Sequence, residues 1–232
     1  LPDLQNNSSV NGAYCVGGIA GCAGSRDDSG KGFSIANAQN SGEIISSGGE
    51  YIGGISGYSR DTSYSGTISN TGNISASKAE RVGGVVGYLL GGTLKNANNG
   101  GKVVGKSHVG GVVGVIEWGQ VNGATNSGNV FGTIDTSDNN KGGYNVGGIA
   151  GWLSRDSNAS NGTAIQGTLN NTGCVSGTDA VGGIIGRIES DGNATFDWNA
   201  TVNISSSSLN DDFDGILGRS YVGGAIGYLS AK

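Results

Sequence analysis

VGGVVG stands at Val82–Gly87 and again, unchanged, at Val109–Gly114. Five more segments share its pattern of apolar, Gly, Gly, apolar, any residue, Gly. They are VGGIAG at Val16–Gly21, IGGISG at Ile52–Gly57, VGGIAG at Val146–Gly151, VGGIIG at Val181–Gly186 and VGGAIG at Val222–Gly227. The first glycines of successive copies lie 27 to 41 residues apart. A motif repeated at this spacing marks a chain of stacked supersecondary units, each too small to bury an apolar face alone.

A second pattern sits between the first. It reads apolar, any residue, Asn, two residues, Asn, Ser or Thr, Gly, any residue, apolar. Its cleanest copies run Ser34–Ile44, Thr67–Ile74, Thr93–Val103, Gln120–Val130 and Thr168–Val175, with a blurred one at Ala194–Ile204. The apolar stretches are short and β-branched, which predicts short strands. Asn-Ser-Gly and Asn-Thr-Gly predict turns, on the ground that Asn and Gly both tolerate the left-handed region. The paired glycines leave no Cβ and allow either a bend or a close backbone approach. Alternation from Val16 would put Val16 and Ile19 on opposite faces, so a bend at the glycine pair is expected.

These readings predict an all-β fold, a β-solenoid (β-helix) of about seven degenerate glycine-rich repeats forming a single domain over residues 1–232. Seven coils spaced about 4.8 Å apart would make a body about 34 Å long. A seven-bladed propeller is the rival, disfavoured because its blades run longer. The variable stretches Asp27–Gly32, Gly128–Gly143, Ser154–Gly167 and Ser206–Arg219 are expected to be loops off the coil.

Composition narrows the class. Glycine supplies 48 of 232 residues and proline one, with no three-residue glycine period, which excludes collagen. Fixed β-branched clusters set the chain apart from disordered Gly/Ser linkers. The net charge is −5 and no basic patch interrupts the sequence, so nucleic acid is not an expected partner. No apolar run is long enough to predict a membrane span. The chain starts at Leu1 without methionine, and processing from a longer precursor is expected.

Candidate chemistry is sparse. His108 is the one histidine, so a histidine metal cluster within the chain is ruled out and a catalytic triad would rest on it alone. Acids such as Asp61 could pair across coils as in glycosidases, but coil stacking brings any two equivalent positions close, so this is unspecific. No catalytic residue is assigned, and a polysaccharide-acting enzyme is the weakest reading. Asp211, Asp212 and Asp214 crowd three carboxylates into DDFDG, a candidate calcium site without the EF-hand or G-G-x-G-x-D pattern; a solvated loop is the favoured reading. Calcium apart, no cofactor is expected. Of the three cysteines, Cys15 and Cys22 are nearest in sequence and would be the pair if a disulfide forms; small core positions are the favoured reading. Asn158, Asn193 and Asn199 each begin a glycosylation sequon. Rings such as Tyr88, Trp118, Trp152 and Tyr221 could bind sugars, although packing is the commoner use.

The VGGIAG-type segments followed by Asn-Ser-Gly-x-Ile resemble the GLUG repeat of bacterial surface proteins. The resemblance covers about Ala13 to Leu229. It implies a β-helical stalk or adhesive region of a secreted or cell-surface protein, without catalytic residues of its own. The expected function is therefore a structural or adhesive segment, with neighbouring domains, copies of itself end to end, or surface and matrix glycans as partners. A self-assembling extracellular filament subunit is the alternative.

Overall fold

The computed structural model of the chain describes residues 2–24, 32–135, 141–155, 163–190, 196–205 and 215–231. It is a β-solenoid of seven coils whose strands form three parallel faces. Coil 3 shows the plan: Ser63–Asn70 lies on face A, Ile74–Gly83 on face B and Val86–Leu90 on face C. Coil 4 repeats it with Thr93–Asn99, Val103–Gly110 and Val113–Glu117. In the other five coils the face B strand is broken in two. The continuous parallel ladders leave no place for propeller blades. In coil 5 the break on face B carries a small antiparallel ribbon, Ile134–Asp135 against Lys141–Gly142, within the predicted loop Gly128–Gly143.

The glycine motif is the corner between faces B and C. Its first apolar residue, as in Ile52, Val82, Val109, Val146 and Val181, joins one buried column with Ile44, Ile74, Val103, Val130 and Val175. Its second, as in Ile55, Val85, Val112, Ile149 and Ile184, joins a different column with Ile68, Leu94, Val121 and Leu169 from face A. The bend at the glycine pair thus sends two neighbouring apolar residues into two cores. Each fully buried Val or Ile contributes about 1.5–3 kcal/mol. Tyr64 is buried with them, and its hydroxyl meets the hydroxyls of Ser56 and Ser59 at 2.9 and 3.0 Å.

An asparagine ladder runs along the stack beside the corner. Asn6, Asn40, Asn70, Asn99, Asn126 and Asn171 occupy one register position on face A. Each Nδ2 donates to the Oδ1 of the next coil's asparagine, at 2.7, 2.8, 2.9, 2.8 and 2.8 Å in order. The same Nδ2 also donates to the backbone carbonyl two residues on, as from Asn70 to Gly72 and from Asn99 to Gly101. Neither these asparagines nor the glycines after them have positive φ. The turn expectation is corrected in its cause: Asn is needed for its carboxamide, not for left-handed backbone.

In coils 1 to 5 the second glycine of the corner lies flat on the next coil's ladder. A Cβ on Gly54 would sit 2.4 Å from the Asn70 carboxamide carbon, and one on Gly84 the same distance from that of Asn99. Left-handed backbone falls elsewhere, on the residue before each glycine motif. Cys15, Tyr51, Arg81, His108, Asn145, Ala180 and Tyr221 all have φ between 49° and 64°. None is glycine, and each carries strain of order 1 kcal/mol.

Replacing Asn99 by alanine should lower unfolding free energy by about 2–4 kcal/mol, since it orphans a buried donor and a buried acceptor at once. Gly84→Ala should cost about 3 kcal/mol or more, because backbone as well as side chain stands in the way. Asn98→Ala, on the exposed side of the same strand, should stay within about 0.5 kcal/mol. Denaturant unfolding of the three variants checks the ranking.

Candidate functional site

Two outer surfaces carry regular chemistry. The first is the outside of face A. Alternation along each strand buries residues such as Leu94, Ala97 and Asn99 and turns Lys95 and Asn98 outward. Stacked in register, Gln5, Gln39, Ser69, Asn98, Thr125, Asn170 and Asn203 form one outward column of amides and hydroxyls without a charge. Mid-strand left-handed residues, among them Asn96, Gly123 and Gly167, dent the sheet beside it. The result is a shallow trough of about 250 Å³ lined by Asn96, Asn98, Asn122, Thr125, Thr168 and Asn170. Within the column Asn203 Nδ2 donates to Asn170 Oδ1 at 2.8 Å.

The second surface is the seam between faces B and C. In two coils the left-handed residue faces the residue seven further on, Tyr51 with Tyr58 and Tyr221 with Tyr228. The rings of Tyr51, Tyr58 and Tyr88 contact one another at 5.4 to 5.6 Å between centroids. Arg81 lies over Tyr51 and pairs with Glu50, and the Tyr88 hydroxyl donates to Glu117. Burial and that carboxylate push the Tyr88 phenol above its ordinary range. Further along, His108 stacks on Trp152 at 5.0 Å and accepts from Asn145 Nδ2 at 2.9 Å through Nδ1. Arg187 lies over Tyr228 and pairs with Glu189. These rings are half-buried and engaged with one another, so the seam is a packed spine.

Burial, reinforced by the Arg81 and Arg187 charges, pushes the His108 imidazole down to about 4. It is thus neutral at pH 7 and acts as an acceptor and a stacking surface.

The other sequence candidates divide as follows. Asn199 is exposed on face A, opposite Gln166 of coil 6. Asn158, Asn193, Asp211, Asp212 and Asp214 lie outside the described residues. Among the described residues no group of three or more His, Cys, Asp or Glu side chains could hold a metal ion. Asp61 sits in a left-handed turn and contacts Arg60 at 3.8 Å. Cys15, Cys22 and Cys174 carry no disulfide in this structure; Cys174 alone is buried in it. The face A column was not singled out in the sequence, although alternation between the buried positions of the Asn-rich pattern points to it.

No protein family, no curated protein and no solved structure matches the chain. The fold class, a repetitive parallel β-solenoid, therefore stands on the structure itself.

The depressed His108 imidazole predicts an acid sensitivity. The unfolded chain binds a proton at the ordinary histidine value of 6.5, which the folded chain resists until about 4. Stability present above pH 6.5 is lost as pH falls toward 4, by roughly 1–3 kcal/mol. His108→Asn, which copies the residue and φ of Asn145, should lose less stability over that window than the parent in paired denaturation curves. Equal losses would show that His108 does not carry the effect.

Proposed function

We propose that the chain is a structural and adhesive segment of a cell-surface or secreted protein, carrying GLUG-type repeats, whose face A binds extended neutral polysaccharide. The observation that carries the reading is the uncharged column from Gln5 to Asn203, repeated coil by coil. Carboxamides both donate and accept, which suits sugar hydroxyls. Coils spaced about 4.8 Å apart offer one such group per step, close to the rise of an extended β-linked glycan. Absence of charge from the column favours neutral over acidic sugars. The role needs no catalysis and no cofactor.

Affinity electrophoresis through gels containing soluble xylan or mixed-linkage glucan tests this. The chain should be retarded, the retardation should be insensitive to salt, and Asn98→Ala with Asn170→Ala should weaken it at least tenfold. Unchanged mobility in every neutral polysaccharide would contradict the reading.

A filament stacked head to tail is the second reading. It is favoured by the apolar residues that coil 7 leaves uncovered, including Val222 and Leu229, the latter 67% exposed. It is opposed by the ladder. Ile204 takes the ladder position in coil 7, so head-to-tail stacking would seat an isoleucine where the Oδ1 of Asn6 could take a donor. Negative-stain microscopy across a concentration series should show separate short rods; long uniform fibres would favour the filament instead.

A further inference from the structure

Coil 1 differs from every other coil at the seam. Register places Cys15 over Tyr51 and Cys22 over Tyr58. Where tyrosines hold these two positions their rings touch, with centroids 5.4 Å apart for Tyr51 and Tyr58 and 4.9 Å for Tyr221 and Tyr228. The contact is enforced by the third glycine of the motif. A Cβ on Gly21 would lie 2.4 Å from the Cys15 carbonyl oxygen, so the two strands meet backbone to backbone. Side chains at these two positions therefore face one another across the corner. The Cys22 side chain lies next to that of Cys15 and helps push its thiol up.

We propose that Cys15 and Cys22 form a reversible intrachain disulfide that staples faces B and C of coil 1. The reaction is exchange with a low-molecular-weight disulfide. The exposed Cys22, as thiolate, attacks one sulfur of that disulfide, forming a mixed disulfide and releasing one thiol. Cys15, deprotonated in turn, attacks the Cys22 sulfur, closes the bridge and releases the second thiol. The protein loses two hydrogens and two electrons, and the small disulfide gains them. Burial, with the Cys22 thiol beside it, pushes the Cys15 thiol up to about 12, so closure is slow at neutral pH and quickens as pH rises. Cys174 stays outside the reaction, being fully buried.

The position gives the bridge a use. Joining the two faces of coil 1 across the corner removes the opening motion that would peel them apart. The inference stands on the seam geometry and does not depend on polysaccharide binding.

The test incubates the reduced full chain with oxidised glutathione, alkylates the remaining thiols and digests with trypsin without reduction. Both cysteines fall in the peptide ending at Arg26. That peptide should be lighter by two hydrogens, unalkylated and free of glutathione, and amide exchange in coil 1 should slow roughly tenfold. Cys22→Ser, which alters an exposed side chain, should abolish the closed form while leaving the fold's circular dichroism unchanged. A peptide carrying two glutathiones or two alkyl groups, or a dimer cross-linked through Cys22, would overturn the proposal.

Discussion

A buried carboxamide has to satisfy two donors and an acceptor, and that requirement organises this solenoid. Each ladder asparagine meets it by donating once to its own turn and once to the next coil, as Asn70 does to Gly72 and to Asn99. A one-residue slip would break the bond to the next coil and turn the strand's apolar side chains outward. The ladder therefore sets the register between coils more strictly than apolar contact alone, because Val and Ile tolerate sliding and an amide does not. The corners obey the same constraint. In coils 1 to 5 their second glycine has to be bare because the carboxamide of the next coil lies 2.4 Å from where a Cβ would be.

The corner also explains why non-glycine residues bear the left-handed strain. Glycine is spent on close approach, at the corner itself and where the strands of faces B and C touch. The change of direction before the corner falls on Tyr51, Arg81, His108 or Asn145. These side chains then stack along the seam, and the contacts between rings and cations offset part of the strain. Function is thereby sorted by face. The seam is occupied with its own packing, while the outer side of face A presents repeated polar positions to solvent.

Much of this was legible in the sequence, and the exceptions have physical causes. Seven copies of one motif announced the coils, and the β-branched residues announced the strands. The first coil's face A strand, Pro2–Asn6, has no clear copy of the pattern because its turn carries Ser8 where coils 2 to 6 have glycine. The glycine of coil 2 lies against the turn before it: a Cβ on Gly42 would lie 2.0 Å from the Ser8 carbonyl oxygen. The ladder was hidden because Asn-Ser-Gly reads equally well as a plain turn. Tyr64 was unforeseen as core because its hydroxyl partners, Ser56 and Ser59, lie on another face. Alternation in the Asn-rich pattern marks the outward residues of face A strand by strand, but their column exists only once coils stack.

The central claim is that the asparagine carboxamides form a continuous hydrogen-bonded ladder inside the stack. Side-chain amide hydrogen exchange, followed by NMR on 15N-labelled protein, tests it most directly. The account predicts that the Nδ2 protons of Asn70, Asn99 and Asn126 exchange as slowly as the backbone amides of the central strands, while those of Asn98 exchange at solvent rates. Rapid exchange of all four would contradict it and leave the register to apolar packing alone.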